Sequence, residues 1–262
     1  PCLYPSATKG SLCPGQKPNL HTRIMWLEEL KTTYFNKDKK YTYVVSLGST
    51  EQHGPFLPLG TDTYIHNEII IQTEKAFPSL IFLPTLPISC SKEHAGFPGT
   101  IWMEESTLSS VLRDICSSLK ENADRILFVS WHGGNVAPLH KFVVETQAEF
   151  PAIHLHHIRT ENEMSTHAEE KIIKGPVDEH AGNTEISMTL SVKPKFVTIP
   201  HKSYPKKIIQ DAWSDYVIKS SENGIVDNHP KWVVKKSQGK AFIKLHADVV
   251  IEEIGKIINQ VK

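Results

Sequence analysis

Four short apolar runs punctuate the chain, each followed by a polar or glycine-rich loop, and three of them then by a helix-like stretch: "YVVSLG" (43–48), "LIFLP" (80–84), "RILFVS" (125–130) and "AIHLHHI" (152–158). Runs of this length, rich in Val and Ile and bounded by turn residues, read as strands buried on both faces. Between them Ile65, Ile69, Ile70 and Ala76, then Leu108, Val111, Leu112, Ile115 and Leu119, then Leu139, Phe142, Val143 and Ala148 recur at helical spacing, with Ser106 as the expected N-cap of the second helix. A last stripe, Val250, Ile254, Ile257, Ile258 and Val261, predicts a helix packed on the sheet. Strand, loop and helix in repetition predict an α/β chain with a mostly parallel sheet, right-handed crossovers and helices on both faces. Residues 200–246 carry no clear pattern.

At 262 residues the chain is long for one domain but ordinary for an α/β domain with a large core. Residues 1–22 mix Pro, Gly, Ser and Lys without a period and predict an extended arm, leaving 23–262 as a single domain. The 29 basic and 29 acidic residues cancel, so no net field draws nucleic acid or an anionic membrane. No apolar run approaches the roughly 20 residues that span a bilayer. Four cysteines without a CxxC pair predict reduced thiols and a cytoplasmic protein, with a Cys2 to Cys13 bridge the less favoured option.

The loops hold the chemistry. In an open α/β sheet, ligands bind beyond the carboxyl ends of the strands. Glu51 and His53 follow the strand ending at Gly48, and His132 follows the one ending at Ser130. In "DEHAGNTEIS" (178–187) Gly182 and Asn183 are expected to open a helix whose first turn carries Glu185. Carboxylates Glu51, Asp62 and Glu185 with imidazoles His53, His132 and His180 form an oxygen and nitrogen donor set without thiolate, suited to zinc or manganese. The set exceeds what one catalytic zinc uses, which favours two ions bridged by a carboxylate, with Asp62 as the bridge. Each piece alone has a blander reading. Glu51 and His53 make a solvated loop pair, Asp62 and Glu185 helix-start acids, and His132-Gly133-Gly134-Asn135 a glycine turn or anion cradle. Their shared position at strand ends is what favours the metal reading. His154 and His156 alternate with Ile153 and Leu155 as a half-buried strand does, and are read as strand residues. Trp131, Trp213 and Trp232 are read as packing residues.

These motifs resemble those of the creatininase, or creatinine amidohydrolase, superfamily: an E-x-H-G-P-H-L-P-x-G-T-D loop, an N-G-H loop and an H-A-G-x-x-E helix start. They stand here as EQHGPFLPLGTD, WHGGN and DEHAGNTE, and "EHAGFPGT" (93–100) is similar to the family's H-x-x-F-P-G-T turn. The resemblance implies a three-layer α/β/α sandwich. It implies two divalent ions per chain, zinc with manganese or iron as alternatives. One would be held by Glu51, Asp62 and His132 and the other by His53, Asp62 and Glu185. His180 and Glu185 would be the catalytic pair, His180 giving a proton to the departing nitrogen with support from Asp178 or Glu179. Ser91, His94, Gly133, Gly134 and Asn135 would meet a small amide substrate, and the chains would assemble as homo-oligomers, often hexamers.

Creatininase proper has a glutamate where this chain has Gly134 and tryptophans where residues 132–190 have none, and Phe56 replaces a second histidine of the first loop. These departures point away from creatinine. The expected activity is cleavage of a non-peptide or cyclic amide C–N bond. The alternatives are deformylation of a formylaminopyrimidine nucleotide, a peptidase acting on a modified precursor peptide, and a catalytically silent member that binds a ligand or braces an oligomer.

Overall fold

The structure is a computed structural model that describes residues 25–205 and 221–259. The arm expected over 1–22, Cys2, Cys13, Trp213 and Val261 lie outside them. In chain order the main elements are β1 (Tyr41–Leu47), α1 (Thr61–Ala76), β2 (Ile81–Phe82), α2 (Glu105–Leu119), β3 (Ala123–Ser130), α3 (Val136–Thr146), β4 (His154–Ile158), α4 (Glu163–Ile173), α5 (Asn183–Val192) and α6 (Lys236–Asn259). The four strands pair in parallel in the order β2-β1-β3-β4.

The alternation of side chains along β1 and β3 produces the three layers. Tyr43, Val45 and Leu47 share a face with Ile126 and Phe128, and pack on Leu108, Leu112 and Cys116 of α2 and Leu139 and Phe142 of α3. Val44, Leu127 and Val129 point the other way, onto Ile65, Ile69 and Ile70 of α1, Met188 of α5 and Phe242, Ile243, Val250 and Ile254 of α6. Each such side chain contributes roughly 1.5–3 kcal/mol by leaving water. Burial on both faces is what places these β-branched runs at the centre of the sheet. Ile173 of α4 joins this second cluster, so among the described residues two helices cover one face and four the other.

Boundaries differ from the sequence reading in two places. The second strand shrinks to Ile81–Phe82, because Pro84 and Pro87 lack the N–H a ladder needs; the segment still follows β1, with Leu83 N donating to Val44 O and Leu86 N to Ser46 O. The α2 helix starts two residues earlier than a Ser106 N-cap allows. Glu104 is its N-cap, and the Glu104 carbonyl accepts from Thr107 and Leu108. Among the described residues no helix is long and apolar enough to cross a membrane. Cys90 and Cys116 are free, and burial pushes both thiols up to about 12.

With this order the chain leaves β1 toward β2 on one side and later builds β3 and β4 on the other. The reversal opens a crevice between the carboxyl ends of β1 and β3, where open α/β sheets bind ligands.

Candidate metal centre

Both strands that flank this crevice deliver ligand-type residues into it. The loop after β1 closes through Glu51 N donating to Leu59 O, which folds Glu51 and His53 back over the start of α1. Asp62 stands in the first turn of that helix. His132 follows β3 directly, and Glu185 stands in the first turn of α5. All but Glu185, which is partly exposed, are buried.

Asp62 holds the arrangement together. Its Oδ1 lies 3.4 Å from His53 Nε2 and its Oδ2 3.3 Å from His132 Nδ1. Glu185 Oε2 is 3.6 Å from the same His53 nitrogen, and Glu51 Oε2 is 3.2 Å from His132 Nε2. Potential ligand atoms of His53, Asp62 and Glu185 lie within 4.8 Å of one another, as the resemblance implies for one ion. Those of Glu51 and His132 gather instead with Glu93, while a further set joins Glu51, His53 and His180.

Sharing protons among these groups leaves the site electrostatically unsatisfied. Burial disfavours charge on the His53 ring, but Asp62 and Glu185 outweigh it and push its pKa up to about 10. The same contest, with Glu51 and Asp62 on the acidic side, pushes His132 up to about 10. Asp62, though buried, is held well below the usual carboxylate range by the two imidazoles. Burial first, against the pull of His53 and with added repulsion from Asp62 and Asp178, lifts Glu185 to about 8. Glu51 Oε1, His53 Nε2 and Asp62 Oδ2 are buried without a hydrogen bond. Each such atom costs roughly 1–3 kcal/mol, and a divalent cation would satisfy several at once. His53 Nδ1 faces the Glu51 carbonyl at 3.1 Å, so a proton held there leaves Nε2 as a ligand nitrogen. The donor set fits zinc or manganese.

Behind the carboxylates the rings of His53, His180 and His94 pack in a row, with centroids 4.4 and 4.3 Å apart. Gln52, a residue the sequence reading passes over, organises the row. Its side-chain nitrogen lies 2.9 Å from His94 Nδ1, 2.9 Å from His180 Nε2 and 3.1 Å from the Gly224 carbonyl. His180 Nε2 also faces the Gln52 carbonyl at 2.8 Å, and a proton donated there leaves Nδ1 as the basic nitrogen, 3.9 Å from Glu51 Oε1. Burial, then the charges of His53 and His94, lower the His180 pKa well below the usual imidazole range. A ring that delivers a proton to a departing nitrogen must first take one up.

The expected support of His180 by Asp178 or Glu179 is corrected for Asp178. Its carboxylate accepts from Gly182 N at 3.0 Å and from Thr184 N, capping α5. That cap sets the entry of Glu185. The chain reaches it through Ala181, held at φ 55°, whose N–H donates to Glu185 Oε2 at 2.6 Å. A Cβ at Gly182 would overlap Asp178 and Asp227, so the turn needs glycine. Asp227 comes from the segment with no sequence pattern and accepts from Asn183 N and Nδ2; Val226 pairs with His180 as an antiparallel bridge.

Of the residues expected at the substrate, Gly133 and Gly134 line the cavity beside the carboxylates, whose volume is about 680 Å³. His94 lines it too, but its Nε2 is 3.1 Å from Glu51 Oε1. Ser91 and Asn135 stand behind the wall, fully buried. The Asn135 amide is consumed as a pin between loops, donating to Gly48 O, Ser89 Oγ and Ser130 Oγ and accepting from Cys90 N. Phe56 is buried edge-on against Tyr204 and Trp232, a packing role. The His154 to His157 run forms β4. Trp131 meets the buried His246 edge-on, 4.1 Å between centroids, and lines the cavity with Glu161, Glu170 and Arg159. A second cavity of about 1060 Å³, between the starts of α2 and α3, shares Glu93, Gly133 and Gly134 with the first.

The chain is 32% identical over 187 residues to the mycofactocin precursor peptide peptidase of Mycobacterium ulcerans, covering 68% of this chain and 69% of that protein. Its fold matches a mutant creatininase described as Zn-Zn type, at 14% identity with a TM-score of 0.71 over 90% of this chain and 98% of that one. It matches the creatininase described as Mn at 15% identity with a TM-score of 0.71, over 89% and 98% respectively. The family model for creatininase, described as creatinine amidohydrolase, matches residues 28–254. With that span covering the sheet, both ligand-bearing loops and the start of α5, the chain belongs to the creatininase family of amidohydrolases.

Proposed function

We propose that this protein is a two-metal amidohydrolase that cleaves an amide C–N bond in a peptide-like substrate. The observation that carries the reading is Asp62, which offers one oxygen toward His53 and the other toward His132, so that two cation positions share a single buried acid. His53 and Glu185 complete one position, and His132 and Glu51 belong to the other. Ions bound there would polarise the scissile carbonyl and lower the pKa of water toward neutrality.

The protein's own groups do the rest. Gln52 fixes the tautomer and orientation of His180, whose Nδ1 faces the carboxylates. There the ring takes up a proton and passes it to the departing nitrogen. Stacking between His53 and His94 keeps bulk water from this nitrogen. A Cβ at Gly133 would meet nothing within 4 Å, so this part of the cavity wall stays open.

Two features favour a substrate larger than creatinine. The cavity at the carboxylates shares the wall residues Glu93, Gly133 and Gly134 with the larger one, and the relative in Mycobacterium ulcerans is named as a peptidase. The test is hydrolysis by protein loaded with zinc or manganese of short peptides, a formamide and creatinine, reading released amine, formate and creatine. Peptide cleavage is expected. Formate release alone would make the protein a deformylase instead, and full metal occupancy with no turnover of any amide would overturn the enzymatic reading.

A further inference from the structure

Glu93 lines the cavity beside the ligand set, and the resemblance assigns it no role. It lies in the 3-10 turn Lys92–His94 and a quarter of its side chain, 24%, remains exposed, so nothing in its packing prevents it from turning to water. It turns inward. Its Oε1 stands 3.5 Å from His132 Nε2, the nitrogen that also faces Glu51 Oε2 at 3.2 Å and the Cys90 carbonyl at 2.6 Å. Potential ligand atoms of Glu51, Glu93 and His132 lie within 4.8 Å of one another, beside Glu51 Oε1, which is buried without a hydrogen bond.

The residue across the gap tells the same story from the other side. A Cβ at Gly134 would overlap Glu93 Oε1, His132 Nε2 and the Cys90 carbonyl oxygen. The glycine is open space that a carboxylate from another loop has entered. We infer that Glu93 is a further ligand of the cation position built on Glu51 and His132, and that residue 134 is glycine because the Glu93 carboxylate occupies the place of its side chain.

A hard divalent ion gains from an added carboxylate oxygen; without an ion the group is left between the His132 ring, which attracts it, and Glu51, which repels it. Glu93 also lines both cavities.

This inference rests on the two-metal reading above, and the experiment separates them. Metal-free protein is titrated with Co(II), with binding followed by calorimetry and by the visible absorption bands. The wild type is expected to bind two ions. Glu93→Gln is expected to weaken one of the two steps by at least the roughly 10- to 100-fold typical of losing a ligand's supporting partner, to alter the absorption of that step and to leave the other unchanged. The metal-free variant is expected to remain folded, read as a cooperative melt. Glu93→Asp, which keeps the charge on a shorter arm, guards against a folding defect and is expected to weaken the same step. If the wild type binds two ions and both variants bind them with unchanged affinity and spectrum, Glu93 is not a ligand. If the wild type binds none, it is the two-metal reading that fails.

Discussion

Because Asp62 hands one oxygen to His53 and the other to His132, its loss disturbs both cation positions together, whereas the loss of His53 disturbs one. Asp62→Ala is expected to bind metal at least about 100-fold more weakly and to lose turnover. His53→Ala should retain one ion of two while losing activity. Far-UV circular dichroism should be unchanged in both, since neither side chain belongs to the apolar layers, and metal content by elemental analysis is the check. The same two imidazoles make binding pH-dependent. Charged carboxylates hold protons on them up to about 10 in the metal-free site, and an ion must displace those protons. Lowering the pH therefore releases metal, and dialysis at pH 5 should strip the protein more completely than dialysis at pH 8.

Helix α5 shows how an element aims a functional side chain. Asp178 accepts from the N–H groups of Gly182 and Thr184, and Asp178→Ala is expected to cost about 1–2 kcal/mol, the usual loss for a removed cap. Metal affinity should weaken with it, because Glu185 sits in the turn that frays; urea unfolding of metal-free protein and a metal titration measure the two effects. Phe56→Ala is expected to cost about 3–5 kcal/mol by emptying its place against Tyr204 and Trp232. A fall in turnover without loss of stability would show instead that the ring reaches the substrate. These elements also mark what a linear text can reveal. Strands β1, β3 and β4, the stripes of α1 to α3 and the start of α5 are legible because period and turn residues are local properties. Glu51, His53, Asp62, His132, His180 and Glu185 are legible as a group through their motifs. Gln52 and Asp227 are not, since each acts by reaching residues more than forty positions away and no local pattern records it. Asn135 misleads for the same reason: an amide after two glycines suggests a ligand contact, but its bonds to Gly48, Ser89 and Ser130 exist only once β1 and β3 are neighbours.

Across the whole fold, α6 ties the crevice to the outer layer through His246. The ring is buried, its Nε2 lies 2.6 Å from Glu169 Oε1, and its Nδ1 faces Thr160 O at 2.9 Å. Burial works against the charged ring, but Glu169 and then Glu161 outweigh it and raise its pKa above the ordinary 6.5. A raised value means that the stabilisation is fully present below about 6.5 and is lost as pH climbs through the folded-state value. Glu169→Gln should therefore lower the melting temperature more at pH 5.5 than at pH 9, and an equal loss at both would remove the charged pair from the account. Assembly belongs at this level too. Leu59, Ile101 and Trp102 expose apolar surface, with Ile101 52% accessible. If a second copy covers that patch, sedimentation should give a species heavier than one chain, and Trp102→Glu should shift it toward the monomer.

The proposed ligands His53 and His132 follow the two innermost strands, whereas much of the cavity wall, Arg159, Glu161 and Glu170 among it, belongs to the segment beyond β4. On the proposed function, reactivity and selectivity are written on different stretches of polypeptide. Exchanging the periphery between relatives should retarget the catalyst to another amide while its grip on cations stays intact, a modularity that lets one scaffold diversify without rebuilding its engine.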